Sequence, residues 1–372
     1  MNDCQTKEVK KGAVSPRIAL LYPASFQKTP GGTELIGEFL RRTFPRIEFI
    51  TPLNCTSSIL YRLKVPWFGL DQVFKALAVG RFFFKRHLQE QFDAVITSGI
   101  MGLYFSFHRP RIPVINIFPA SMIGVLQKTS FHGRGNRLTS RFLCLIERVV
   151  GWRKSCCITI SDKEAEIIRK FYGLECAVIP NGVDLELFAP GDKLEERKLL
   201  GLPDKKMIGL FVGRPEHIKG YDIFLEVARS FPQLTFIWIS PQSTETDVQN
   251  VIIRSNISHR EVAQYYRAAD FLIYPSRTES GMCHTILEAM ASDLPLILSS
   301  DILHNFPKDA DPESLGLVID GYEKDGYLAA VGKFVAAPWR VNSRHIVQDH
   351  FSLELFSRRY KELITRLLED NR

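Results

Sequence analysis

Short apolar runs alternate with amphipathic stretches along this chain, stop at a polar stretch, and then begin again. Arg17-Ile-Ala-Leu-Leu-Tyr22 precedes a helical pattern from Glu34 to Arg42. Asp93-Ala-Val-Ile-Thr97, Ile112-Pro-Val-Ile-Asn-Ile117, Cys157-Ile-Thr-Ile160 before a helix from Asp162 to Phe171, and Ala177-Val-Ile179 continue the series. After the polar stretch from Gly191 to Lys206 come Met207-Ile-Gly-Leu-Phe-Val212, Thr235-Phe-Ile-Trp-Ile239, Asn250-Val-Ile-Ile253, Phe271-Leu-Ile-Tyr274 and Leu294-Pro-Leu-Ile-Leu298. Apolar runs this short beside helical periodicity read as βα units with buried parallel strands. The restart means two α/β domains, which a length of 372 residues also favours. The expected domains are residues 15–190 and 191–349, with 1–14 as a disordered leader.

Composition removes several classes. With 45% hydrophobic and 24% charged residues the chain is globular. Its seven cysteines are odd in number, scattered and without Cys-x-x-Cys spacing, which argues against a disulfide framework and a zinc site and fits a cytoplasmic protein. No stretch approaches the roughly 20 apolar residues of a membrane-spanning helix. The net charge of +7 is uneven: residues 1–190 carry +11 and residues 191–372 carry −4. An anionic partner of the first half follows as an expectation: lipid head groups, a phosphorylated acceptor or nucleic acid, the last ranked lowest because no recognised nucleic-acid module is present. On 70–88, Lys75, Val79, Phe82 and Arg86 are read as the outward face that meets lipid. Aromatics at such spacing also suit a core.

Two segments carry chemistry. The strand ending at Val212 runs into Gly213-Arg214-Pro-Glu-His-Ile-Lys219-Gly220, after which a helix begins. A guanidinium and an ammonium five residues apart, next to glycines and a helix N-terminus, can converge on one diphosphate. A surface turn with two solvated cations is the plain alternative. The strand ending at Tyr274 leads into Pro275-Ser-Arg-Thr-Glu279-Ser280-Gly281-Met282-Cys283 and a helix starting near His284. A glycine-containing loop at a strand's carboxyl end is where a doubly wound sheet binds nucleotides, and the amides of Gly281, Met282 and Cys283 are expected to face a phosphate or a sugar hydroxyl. Glu288 falls on an otherwise apolar helix face, where an unpaired carboxylate is costly, so it is expected to be inward and partnered.

These segments, with Ala269-Asp-Phe-Leu-Ile-Tyr-Pro-Ser276 and Leu287-Glu-Ala-Met-Ala291, resemble the retaining GT-B glycosyltransferases of family four, the glycosyl transferases group 1. Pro30-Gly-Gly-Thr-Glu34, Ile158-Thr-Ile-Ser161 and Ile179-Pro-Asn-Gly-Val-Asp184 extend the likeness into the first half. The resemblance implies two doubly wound Rossmann-like domains facing a cleft, with a terminal helix at 350–369 packing back on the first. It implies an enzyme that moves a hexose-type sugar, with retention, from a nucleotide-diphosphate sugar to a glycan or lipid-linked acceptor, as in polysaccharide or lipopolysaccharide biosynthesis. Arg214 and Lys219 would hold the diphosphate, Glu279 the sugar hydroxyls and Glu288 the ribose, while the Gly31-Gly32 loop closes from the first domain. Neither metal nor cofactor is expected, and the location is cytoplasmic or peripheral on the inner membrane leaflet.

Two departures motivate an alternative, a catalytically inactive GT-B protein that binds nucleotide sugar or glycan. Eight residues separate Glu279 from Glu288 where the family has seven, so Ser280 competes for the sugar-binding slot. Where similar enzymes place a histidine just past the strand that here reads Val114-Ile-Asn-Ile117, this chain has Phe118-Pro119; His132 is a substitute by proximity alone. A nicotinamide-dependent oxidoreductase ranks lower, since Gly-x-Gly-x-x-Gly is absent after the first strand.

Overall fold

In a parallel strand covered on both faces, neighbouring side chains belong to different cores, and β1 (Ile18–Leu21) follows that rule. Ile18 and Leu20 meet the helices Gly32–Thr43 and Leu353–Asp370, while Ala19 and Leu21 meet a layer built from the helices Leu70–Glu90, Tyr104–Phe107 and Arg134–Gly151. The computed structural model describes residues 15–23, 32–62, 70–124 and 134–371, without the side chains of 33 and 134–140. Gly31 and His132 therefore lie outside the described residues.

The first sheet adds β2 (Ile47–Ile50), β3 (Ala94–Ser98), β4 (Val114–Phe118), β5 (Cys156–Thr159) and β6 (Cys176–Val178) in the order β2-β1-β3-β4-β5-β6, all parallel. The second contains β7 (Ile208–Val212), β8 (Thr235–Ser240), β9 (Val251–Ser255), β10 (Phe271–Tyr274), β11 (Leu296–Ser299) and β12 (Gly316–Ile319) in the order β12-β11-β10-β7-β8-β9, again parallel. Sequence reading passed over β2 and β12. Both are edge strands with half-exposed residues, so neither has the continuous apolar run that marks a central strand.

The chain crosses between the two sheets twice. Val183 and Phe188 are buried in the core of the second sheet, so the first crossing is complete before residue 191, earlier than the polar stretch suggested. Arg344, on the return, donates to the carbonyls of Phe188 and Leu185, both at 2.7 Å, and of Ala291, tying the two crossings to the second domain. The crossings also bond to each other: the Val183 amide donates to the Phe351 carbonyl and the Leu353 amide to the Val183 carbonyl, each at 2.9 Å. The terminal helix then buries Phe356, Tyr360, Leu363 and Ile364 against the first sheet.

The outward face expected on helix Leu70–Glu90 is not open. Val79 is fully buried and Phe82 packs against the core. Lys75 pairs with Asp71 at 3.2 Å, and Arg86 pairs with Glu48 at 3.0 Å and with Glu90. The helix carries a second layer of chain, since Tyr104 sits directly on Gly80, and so it buries more than one stripe. Among the described residues no helix is long and apolar enough to cross a membrane.

Candidate functional site

In the second sheet the chain starts at the centre with β7, proceeds outward through β8 and β9, and returns to lay β10 on the other side of β7. That reversal leaves a crevice at the strands' carboxyl ends, where open α/β sheets bind ligands. The loops after β7 and β10 are thereby neighbours. Arg277 fastens them: its amide donates to the Ile218 carbonyl at 2.9 Å, and its guanidinium grips both Asp222 oxygens at 2.8 Å. Gly220 has φ +74°, and a Cβ there would fall 2.2 Å from the Pro275 carbonyl oxygen, so only glycine permits this approach.

Lys219 and Glu279 meet across the two loops, Nζ to Oε1, at 2.7 Å. The same oxygen accepts hydrogen bonds from the Ser276 hydroxyl at 2.7 Å and from the Tyr274 hydroxyl. The Cys283 thiol donates to Tyr274 Oη at 3.0 Å, completing a knot of four side chains around one carboxylate. Burial by itself would raise the Glu279 pKa; the Lys219 ammonium and the two hydroxyls outweigh it and hold the carboxyl below its ordinary range. For Lys219 burial acts downward and the Glu279 charge prevails, so the ammonium is held above its ordinary range. Burial, with Glu279 nearby, pushes the Cys283 thiol up to about 12, so it stays protonated.

Arg214 lies close enough to Lys219 for its charge to oppose that of the ammonium, and its side chain is 54% exposed and 3.1 Å from Glu216. Gly213 accepts the Trp238 indole N–H at its carbonyl, at 3.0 Å, which fixes the start of the loop. The backbone N–H groups of Gly281, Met282 and Cys283 donate no hydrogen bond among the described residues. They adjoin the N-terminus of helix His284–Ala291, an arrangement of free amides whose chemistry suits an anion. The longer spacing between the two glutamates leaves Glu279, not Ser280, facing Lys219. Ser280 instead uses its carbonyl, which accepts from the Ser161 hydroxyl of the first domain.

Glu288 does not join this cluster. It is buried as expected, yet its partners are His259 Nε2 at 2.6 Å and the Tyr266 hydroxyl at 2.9 Å, both on helix His259–Ala268. Burial lowers the His259 pKa and Glu288 raises it, with the carboxylate prevailing. Lys219 and Glu279 are thus partnered across the loops after β7 and β10, and Glu288 is partnered on helix His259–Ala268.

From the first domain, Asn181 donates to the Met282 carbonyl at 2.9 Å, and Ile160 packs so closely on Gly281 that a Cβ there would be 2.9 Å away. Gly32 begins its helix beside His284, whose ring lies edge-on to Phe39 with centroids 5.6 Å apart. Neither His284 ring nitrogen has a well-formed hydrogen bond among the described residues, and burial lowers its pKa to about 4. Phe118 is wholly buried at the end of β4, a core position. Sequence reasoning gave no role to Ser161, Asn181, His259 or Tyr274. His259 had one visible signal, the Ser258-x-x-Glu261 capping box that places it at a helix start.

Searches of solved structures find the same two-domain arrangement. The sucrose-phosphate synthase of Thermosynechococcus elongatus superposes with a TM-score of 0.79 at 19% identity, covering 95% of this chain and 99% of that one. Anabaena HepE, solved with UDP and glucose, superposes with a TM-score of 0.71 at 16% identity, covering 94% and 99%. The chain has the GT-B fold. Within it, residues 206–336 match the model of the family Glycosyl transferases group 1, and that segment holds Arg214, Lys219, Glu279 and Glu288. The D-inositol 3-phosphate glycosyltransferase of Segniliparus rotundus is 29% identical over 185 residues, 45% of this GT-B chain and 40% of the relative. Across the first curated relatives the chain spans about half their length or less, 40% to 54%. Among the described residues no group of three or more His, Cys, Asp and Glu is placed to hold a metal ion.

Proposed function

We propose that this GT-B protein is a retaining, metal-independent glycosyltransferase that moves a hexose-type sugar from a nucleotide-diphosphate sugar to a glycan or lipid-linked acceptor. The observation that supports this reading is the contact of Lys219, in the loop after β7 that also holds Arg214, with Glu279 of the loop after β10, which continues into the free amides of 281–283. As the bond from the sugar's anomeric carbon to the diphosphate oxygen breaks, its electron pair stays on the diphosphate. Two fixed cations and a helix N-terminus stabilise that charge without a metal. The acceptor hydroxyl bonds to the anomeric carbon on the face the diphosphate leaves, and its proton passes to the leaving phosphate. Glu279, kept ionised by Lys219, is suited to accept hydrogen bonds from the transferred sugar's hydroxyls. Glu288 would take the ribose hydroxyls, in competition with His259.

UDP and UDP-glucose are bound in the HepE structures, which makes uridine the first base to test. Titration with uridine, guanosine and adenosine diphosphates, repeated in chelator and with Arg214→Ala and Lys219→Ala, tests the site. Tight binding of one nucleotide, weakened in both variants and unchanged by chelator, is expected; equal affinity in wild type and variants refutes it. Release of nucleotide from a panel of nucleotide sugars, and the anomeric configuration of the product, test transfer and retention. Nucleotide binding without any release favours the inactive reading, which Phe118 in place of the expected histidine motivates.

A further inference from the structure

The charge asymmetry of the first half becomes a surface on the layer formed by helices Leu70–Glu90, Tyr104–Phe107 and Arg134–Gly151. Residues 94–161 contain nine Lys and Arg against one acid, Glu147. Glu147 is no counterweight, because it is buried and spends an oxygen on the Met122 amide and the Tyr172 hydroxyl, at 2.8 and 2.7 Å. The remaining acids of the layer are also taken: Asp71 by Lys75, Glu90 by Arg17 and Arg86, Asp93 by the Arg17 amide.

Onto this acid-poor layer the fold places large exposed apolar side chains. Leu88 is 71% exposed, Phe107 67%, Leu145 57% and Trp152 67%. Exposed cations lie among them: Arg81, Lys85, Arg109, Arg141, Arg148 and Arg153. None of the six forms an ion pair among the described residues, while Arg153 lies 5.6 Å over the Trp152 ring. Arg141, Leu145, Arg148 and Trp152 recur every three to four residues, a single outward stripe. The helices are joined beneath it, since the Ser106 hydroxyl bonds to the Val149 carbonyl at 3.0 Å and Tyr104 rests between Phe84 and His108. A solvated face does not require exposed Trp, Phe and Leu, and a protein partner of ordinary composition does not require the absence of acids.

We infer that this layer docks on an anionic lipid surface, with Trp152, Leu145, Phe107 and Leu88 entering the headgroup region and the arginines pairing with lipid phosphates. The face differs from the one that helix Leu70–Glu90 suggested by sequence, and the inference is independent of the glycosyltransferase reading. Apolar entry and charge act together here, as at membrane-surface helices.

The test is flotation of the full chain with vesicles of neutral phospholipid, and of neutral phospholipid with about a third anionic lipid, at low and high salt. Arg141→Glu with Arg148→Glu removes charge, and Trp152→Ser with Leu145→Ser removes apolar contact; all four sites are exposed, and thermal melts check that each pair folds. Binding to anionic vesicles only, with a blue shift of Trp152 fluorescence, is expected. It should fall by about fivefold or more for each cation replaced, and should fall for the serine pair although charge is unchanged. Binding equal on neutral and anionic vesicles, no binding, or binding unaffected by the serine pair overturns the inference. So does retention on soluble heparin without retention on vesicles. Nucleotide titration without lipid reads the other site, so failure of either leaves the other standing.

Discussion

Lys219 Nζ and Glu279 Oε1 stand 2.7 Å apart although sixty residues separate them in the chain. The contact exists because β7 and β10 are adjacent in the sheet, and it sets how each partner behaves when the other is lost. Lys219→Ala leaves a largely buried carboxylate with only hydroxyl donors, and a destabilisation of about 1 to 3 kcal/mol is expected, discounted because the pair is partly exposed. Adding Glu279→Gln should restore much of that loss without restoring nucleotide binding. Denaturant melts and nucleotide titration on the single and double variants check it.

Arg214→Ala separates binding from stability. With its side chain more than half exposed it contributes little to the fold, so its melt should match wild type. Nucleoside diphosphate affinity should fall by about tenfold, the value of one charge-assisted contact. Calorimetric titration reads this directly.

Gly220→Ala forces a Cβ against the Pro275 carbonyl at a backbone angle that side chains avoid. The loop after β7 has to move away from the loop after β10, at a cost of about 1 to 3 kcal/mol. Nucleotide affinity should fall together with stability, unlike Arg214→Ala.

His284 titrates near 4 in the folded protein because burial disfavours its charged form. An unfolded histidine takes its proton near pH 6.5. A lowered folded value means the unfolded chain binds the extra proton first, so stability falls as pH drops from about 6.5 to about 4. His284→Phe, which keeps a ring against Phe39, should flatten that limb in melts across this range.

Glu147 shifts the other way. Burial, only partly opposed by Tyr172 and the Met122 amide, raises its pKa to about 7. The folded protein holds a proton that the unfolded chain releases near 4.5, so stability declines as pH rises from about 4.5 to about 7. Glu147→Gln should remove this dependence while keeping the hydrogen bonds to Met122 and Tyr172.

Central strands such as Ile208–Val212 and Phe271–Tyr274 were legible because burial on both faces demands unbroken apolar runs. Ile47–Ile50 was not, since Glu48 faces Arg17 and Arg86 at the sheet edge and breaks the pattern. The loops that hold Arg214, Lys219 and Glu279 were legible as glycine-containing loops at strand ends, and Glu279 was singled out through the family resemblance. Their pairing was not, because it depends on which strands are neighbours, and strand order is a tertiary property. Glu288 was correctly read as partnered, but His259 lies 29 residues upstream on another helix. The exposed stripe of Arg141, Leu145, Arg148 and Trp152 went unread: in sequence an outward aromatic and an inward one look alike.

The two hydrogen bonds that Val183 exchanges with Phe351 and Leu353 bear on how the two halves can move. Halves joined by one segment could swivel around it in any direction. Joined by two segments that grip each other, they retain only movements that keep the pair intact. Ser161 with Ser280 and Asn181 with Met282 tie the halves as well, and Asn181 stands only two residues from Val183. Both ties end on the loop that carries the free amides, so any shift of one half against the other is felt at that loop.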